Sequence, residues 1–535
     1  MVSSIVLLLL FIPCCLATFK WENSNIKTPV PADKIEAVRD LHFHDSFQRQ
    51  RFFRGVNVVY KGAPFFPLLD RYDPALSFSK EDVQLLSDLN MVPTVNEFSK
   101  YLRLGVEWVA VEETRGVYNH TYIEALKKIV EMCNEKGIYV LLDFHQDVCT
   151  RSENITETMY QMYGRALCGE GFPDWATIPD LDEAHAFPRP VFTGYKVNDR
   201  GIPSEEDCAS HFWFYYHGSY GLSYAFQNFY DNKNGIKDSF AAFWKYVADE
   251  FKGFDNVIGY EIINEPFAGS VWDQKGLAIP GRADRQNLEP LYQQVHEAIR
   301  SVDTEKLIFF EGITWDNWNV GFENVPGGDA FKNRSVLAYH HYWPLPNILG
   351  LATTIERRKK DCARLGCGLM LTEFDVNINP KTGKSDGLLN RLKTAEEHLQ
   401  SWIGWVYKPF VPITGPGESI INSETGEIRE EYTRLFSRTF AHAVAGRVIS
   451  MKFDDESKRF VLEFVPDFSV AKPTEIRVMK RIHYPEGYDV QVEPTEACRV
   501  NMDKAGENEN LIQIFNVQEA TVKDQIVKIT VEPIK

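Results

Sequence analysis

The chain of 535 residues lacks any long block of lysine and arginine, and its 58 basic against 75 acidic residues leave a net charge of −17 that repels polyanions. Nucleic acid is thereby set aside as a partner. The cysteines include no C-x-x-C pair and no Cys/His cluster at zinc spacing, so no structural metal site is legible. After the first residues, no apolar run approaches the roughly 20 residues that a membrane-spanning helix needs. Internal repeats and low-complexity tracts are also missing, which removes solenoids and extended disordered arrays. What remains, 44% hydrophobic and 25% charged, is the composition of a soluble globular chain large enough for more than one domain.

The single long apolar run stands at the start. Residues 1–17, MVSSIVLLLLFIPCCLA, have the length of a secretory signal peptide and end on the small residues Cys15 and Ala17, although no basic residue precedes the run. Secretion to the extracellular space is expected, with a lysosomal or digestive-lumen destination as the alternative. In such a compartment Cys133, Cys149, Cys168, Cys208, Cys362, Cys367 and Cys498 favour disulfides over metal, and their odd number leaves at least one thiol without a partner in the chain. Sequons at Asn119, Asn154 and Asn333 suit a glycoprotein on the same route.

Apolar, β-branched runs alternate with amphipathic stretches. Strands are expected at 52–60, 102–111, 138–145, 257–264, 306–312, 336–343, 368–374 and 402–407, with helices between them such as 122–137, closed by Gly137, and 289–302. Strands buried on both faces, each followed by a helix, predict a (β/α)8 barrel across residues 18–440. The stretch 148–218 is too long for an ordinary loop and is expected to shape the active-site face. From 441 to 535 the pattern changes to alternating apolar and polar residues with intervening turns, which predicts a small antiparallel β-sandwich whose default role is packing.

In such a barrel, catalytic groups sit at the C-terminal ends of strands. The run 256-NVIGYEIINEPFAG-269 is apolar until Asn264-Glu265-Pro266, and 369-LMLTEF-374 delivers Glu373 in the same way. Two strand-end glutamates facing each other suit retaining glycoside hydrolysis, in which carboxyls about 5 Å apart act as nucleophile and general acid/base. A single such glutamate would more simply be a solvated or ion-paired carboxylate; the pair favours chemistry. No metal or organic cofactor is needed, because two carboxylates and water complete the reaction.

This constellation resembles glycoside hydrolase family 5, in which the acid/base follows an asparagine at the end of strand four and the nucleophile ends strand seven. The resemblance implies Glu265 as acid/base, Glu373 as nucleophile and Asn264 as the ligand of the sugar 2-hydroxyl. It further implies that Arg103 is the buried arginine of strand two, that His145 ends strand three, that His340 and Tyr342 form the His-x-Tyr of strand six, and that Trp405 is the stacking platform of strand eight. Physically, a guanidinium favours the ionised nucleophile, Tyr342 can hydrogen-bond it, and its charge discourages ionisation of Glu265.

Within the family, 142-LDFHQDV-148, 169-GEGFPDWAT-177, 57-NVVYKGAPF-65 and 339-YHHYWP-344 are similar to endoglycoceramidases, which cut between the glucose and the ceramide of glycosphingolipids. That likeness implies Lys61 and Asp147 as ligands of glucose hydroxyls, a glycosphingolipid and water as partners, and transient contact with a membrane or micelle surface. An apolar channel for ceramide is expected from 343-WPLPNILGLA-352, where Leu345, Ile348, Leu349 and Leu351 either line it or pack a barrel helix. Competing readings are another family 5 glycosidase, of glucanase, mannanase, endo-galactosylceramidase or sterol-glucosidase type, and a catalytically silent glycolipid carrier.

Overall fold

In the computed structural model, which describes residues 33–89, 100–146, 164–211, 213–313, 317–343, 347–378, 385–411, 419–502, 509–517 and 525–534, eight parallel strands close into a barrel. In chain order they are Arg54–Val58, Lys100–Val106, Tyr139–Phe144, Val257–Glu261, Leu307–Glu311, Ser335–His341, Gly368–Phe374 and Trp402–Gly404. Helices such as His120–Glu135 and Glu289–Arg300 lay buried stripes of Ile129, Val130, Leu291 and Val295 on the outer wall. Residues 1–17, Asp147, Cys149, Asn154 and Leu345 lie outside the described residues. Asn119, which caps its helix by accepting the Tyr122 N–H, and Asn333 are exposed.

The second strand ends sooner than its apolar run. Beyond Val106 the chain turns into the short helix Trp108–Val111, with the Val109 N–H donating to the Gly171 carbonyl and the Trp108 indole to Glu112 at 2.7 Å. Those bonds draw the backbone off the sheet despite its apolar side chains.

Inside the barrel, alternate residues rise in layers, since side chains two apart share a face. Phe53, Tyr101, Leu141, Ile258, Phe309, Val336, Met370 and Ile403 form an apolar layer near the N-terminal ends. One or two steps further along the same faces the residues become polar: Asn57, Arg103, Asp143, Glu261, Glu311, His340 and Thr372. The barrel is therefore a dry plug below and a polar chamber above.

The plug is completed from outside the barrel. Ile35–Arg39, His42–Asp45 and Gln50–Arg51 were counted with the barrel by sequence, yet they open a seven-stranded sheet that continues through Phe440–Val444, Thr474–Arg477, Leu511–Asn516 and Cys498–Met502. Phe43 closes the barrel floor against Phe53 and Phe309, at ring distances of 5.2 and 6.2 Å. A four-stranded antiparallel sheet of Gly446–Phe453, Phe460–Pro466, Val527–Pro533 and Tyr488–Glu493 shares one core with the seven-stranded sheet through Phe440, Ile476 and Ile514 against Leu462, Phe464 and Ile529. The C-terminal sandwich thus borrows its edge from the N-terminus, and Phe440–Val444 straddles the boundary expected at 440.

A disulfide, Cys168–Cys208, ties together the described part of the 148–218 insertion, while Cys133, Cys362, Cys367 and Cys498 are buried free thiols. Barrel and sandwich are joined by a buried ion cluster. Arg438 donates to both Glu396 oxygens, at 3.0 and 2.6 Å, and also pairs with Asp455, while Arg54 reaches Glu396 at 2.9 Å. Removing one side of such a cluster strands buried charge, a loss of about 3–5 kcal/mol. Arg438→Met should therefore lower the urea midpoint markedly, and adding Glu396→Gln should recover part of it; an unchanged midpoint in the single variant would show the cluster to be incidental.

Candidate active site

Arg103 organises the upper chamber. Its Nε lies 2.7 Å from Glu261 Oε2, Nη2 lies 2.9 Å from Asp143 Oδ1 and 2.8 Å from Asn264 Oδ1, and Nη1 lies 2.5 Å from Glu373 Oε1 and 3.0 Å from Asn57 Oδ1. Five groups from four strands and their ends thus meet one planar guanidinium, whose fixed donor directions suit such a hub. Although burial opposes its charge, these carboxylates push the Arg103 pKa well above its ordinary value. Glu261 is different: burial, ahead of the opposing pull of Arg103, raises its carboxyl to about 7.

Glu373 reaches the chamber through a register shift between Leu371 and Glu373, which lets Thr372 and Glu373 both turn inward. Thr372 donates to Glu261 at 3.3 Å, and Glu373 Oε2 accepts from the Tyr342 hydroxyl at 2.8 Å. Glu265 stands beyond the end of the fourth strand with φ of 42°. Its Oε1 lies 2.7 Å from His340 Nδ1, the atom that is also 3.6 Å from Glu373 Oε2. One oxygen of each glutamate and the His340 nitrogen lie within 4.8 Å of one another. Burial depresses His340 to a pKa of about 4, so the imidazole between the two carboxyls is neutral near pH 7.

Asn264 is held on both sides. Its Oδ1 accepts from Arg103, its Nδ2 donates to the Gln146 carbonyl at 3.0 Å, and Gln146 Nε2 donates back to the carbonyls of Asn264 and Glu265 at 2.7 and 3.1 Å. Across the mouth, His145 is oriented by Asp143 at 2.8 Å and stacks on Trp405 at 5.5 Å, while Lys61 Nζ sits 5.1 Å from the Trp405 ring. Lys61 also lies 3.6 Å from Glu170 of the GEGFPDWAT stretch, a loop seated where Gly171 packs on the His145 carbonyl. The structure therefore gathers Lys61, Arg103, His145, Asn264, Glu265, His340, Tyr342, Glu373 and Trp405 around one opening; Asp147 is outside the described residues.

Sequence reasoning passed over Asp143, Glu170, Glu261 and Glu311. The signal for three of them is the two-residue period: Leu141-x-Asp143-x-His145, Gly259-x-Glu261 and Phe309-x-Glu311 each turn an inward face from apolar to acidic. Beside the mouth, the apolar stretch divides. Leu351 is buried at the start of a barrel helix, Leu349 is half-buried, and Ile348 and Trp343 are 63% and 64% exposed.

Residues 210–411 match the profile of cellulase (glycosyl hydrolase family 5), and residues 438–531 match the glycoside hydrolase family 5 C-terminal domain. The chain is 40% identical over 458 residues to an endoglycoceramidase of Cyanea nozakii, covering 85% of this chain and 86% of that one. It is 38% identical over 453 residues to an endoglycoceramidase of Hydra vulgaris, covering 84% and 81%. Its fold matches endo-glycoceramidase II from Rhodococcus sp., solved as a lactosyl-enzyme intermediate, with a TM-score of 0.68 at 22% identity, covering 92% of this chain and 99% of that one.

Taking away the hub tests the electrostatics. Arg103→Met leaves Asp143, Glu261 and Glu373 without their shared cation, which should cost about 3–5 kcal/mol of stability at pH 8. Uncompensated buried carboxyls bind protons more tightly when folded than unfolded, so the deficit against the parent should shrink as pH falls from 8 toward 5. Denaturant titrations at both pH values check this; a deficit that is absent, or that widens at pH 5, would remove Arg103 from its electrostatic role.

Proposed function

Because the chain belongs to the endoglycoceramidases of glycoside hydrolase family 5, we propose that Glu373 attacks the anomeric carbon of the glucose joined to ceramide while Glu265 protonates the departing ceramide oxygen. The enzyme hydrolyses glycosphingolipids with retention and releases intact glycan and ceramide. What supports the assignment of roles is the spacing: a gap under 5 Å between carboxyl oxygens leaves no room for a water on the far face of the sugar and suits a covalent intermediate. The lactosyl-enzyme form of the Rhodococcus relative is of that kind.

In the first step the Tyr342 and Arg103 donors hold Glu373 charged and aimed, and the C–O bond to ceramide breaks as Glu265 gives up its proton. Glu373 is then an ester and carries no charge, so Glu265 is free to remain ionised and take a proton from water, which attacks the same carbon and frees the glycan. Trp405 offers an apolar face to the glucose ring, with Lys61 and Asp147 as ligands of its hydroxyls and Asn264 directed to the 2-hydroxyl. Trp343 and Ile348 stand on the exposed side of the mouth, where a membrane or micelle would meet the ceramide.

Incubation with a mixed glycosphingolipid extract should yield free oligosaccharide together with intact ceramide. Glu265→Gln and Glu373→Gln should each lower turnover of glycosphingolipid by at least about 10³-fold, and azide should restore turnover of dinitrophenyl β-lactoside, whose departure needs no acid, to an alanine variant at either position, with a change of anomer at Glu373 only. Full activity in either variant would refute its role, and release of cello-oligosaccharides in place of glycan from glycolipid would favour a polysaccharidase.

The proposal extends to secretion. The disulfide Cys168–Cys208 and the exposed sequons at Asn119 and Asn333 support passage through an oxidising, glycosylating compartment. Expressed in a eukaryotic host, the protein should lose residues 1–17 and shift to lower mass after N-glycan removal; retention of Met1 on a cytosolic, unglycosylated chain would overturn this.

A further inference from the structure

Glu311 is a buried carboxylic acid that the two-step reaction leaves unused. It ends the fifth barrel strand, where its carbonyl accepts the Tyr292 hydroxyl at 2.7 Å and locks the strand end in place. Its Oε2 accepts the backbone N–H of Glu265 at 2.8 Å, and its Oε1 lies 3.5 Å from Nε2 of His340. The other nitrogen of that imidazole is the one 2.7 Å from Glu265 Oε1. Glu311 therefore addresses Glu265 by two routes, through its backbone and through the ring that touches its carboxyl.

The backbone contact has work to do. A φ of 42° puts Glu265 in the left-handed region, a conformation that is unfavourable for a residue with a Cβ. Bonds to the surroundings hold it there, and they include Glu311 at the N–H and Gln146 at the carbonyl. Burial, with the charges of Glu261 and Glu265, pushes the Glu311 carboxyl well above the usual carboxylate range. A neutral acid can stand beside Glu265 without repelling it and still offer an acceptor oxygen, which a second carboxylate could do only at the cost of like-charge repulsion.

We propose that Glu311 is a positioning residue for the acid/base: it anchors the backbone of Glu265 in the left-handed conformation and steadies His340, so that the Glu265 carboxyl points at the leaving oxygen. It touches neither sugar nor reacting atoms. The inference rests on the reading of Glu265 as acid/base given above.

Leaving groups separate this role from a merely structural one. Ceramide is a poor leaving group that the acid must protonate as it departs; dinitrophenolate leaves without that proton, and kcat/KM reports the first, glycosylating step for both substrates. Glu311→Ala should lose about 10²-fold in kcat/KM on a glycosphingolipid but less than about 3-fold on dinitrophenyl β-lactoside. Glu311→Gln, which keeps an acceptor oxygen for the Glu265 N–H, should recover most of the glycolipid activity. Should the alanine variant fail to accumulate, Glu311→Asp, which withdraws that oxygen by one methylene, carries the same comparison. Equal losses on both substrates, no loss on either, or a glutamine variant as poor as alanine would overturn the proposal. Glu265→Ala is the control: if it shows no such split between substrates, the acid/base assignment itself fails.

Discussion

One guanidinium has to serve several buried carboxyls, and the layout of the chamber follows from that shortage. Arg103 contacts Asp143, Glu261 and Glu373, and Glu311 lies in the same chamber. A single positive charge cannot neutralise four negative ones where the effective dielectric is low, so some of the acids must stay protonated. Burial raises Glu261 to about 7 and holds Glu311 well above the usual carboxylate range. Asp143, beside the same guanidinium, orients His145, and Glu373 accepts a tyrosine hydroxyl as well as the guanidinium.

The barrel makes this density of charge tolerable by separating it from the apolar layer beneath. Phe43 packs on Phe53 and Phe309 at the floor, and above it Asn57, Thr372 and Gln146 add hydrogen bonds to those of Arg103. The N-terminal strands that carry Phe43 belong to the sandwich sheet. Sandwich and barrel are accordingly joined through the barrel floor as well as through the Arg438–Glu396 cluster.

Long strands and the two strand-end glutamates were legible because each is a local pattern: a buried run that stops on a polar residue. Three kinds of feature were not. The strands Ile35–Arg39 and His42–Asp45 are short and interrupted by charge, and they reach the sandwich sheet only through Gln50–Arg51, whose partner Phe440–Val444 lies some 390 residues further along the chain, so nothing local marks them. The inward acids Asp143, Glu261 and Glu311 sit inside apolar runs and look like blemishes in a strand until the faces are separated by the two-residue period. The pairing of Lys61 with Glu170 joins the first strand to a loop after the third, and it gives the GEGFPDWAT stretch a physical purpose that its sequence alone does not state. The apolar stretch after strand six was open between channel and packing; Leu351 packs, while Ile348 and Trp343 face solvent.

The division of labour between the two glutamates is written in what surrounds them. Glu373 is reached by a guanidinium at 2.5 Å and a phenol at 2.8 Å, donors that strengthen with negative charge on the carboxylate. Glu265 is touched at its carboxyl by His340, an imidazole that burial keeps neutral. A neutral ring can donate one proton or accept one, so it is compatible with Glu265 in either protonation state and biases neither strongly. A nucleophile needs a fixed charge and an acid/base needs two accessible states; the proposed roles fit a chamber in which a guanidinium and a phenol converge on Glu373 while a neutral imidazole meets Glu265.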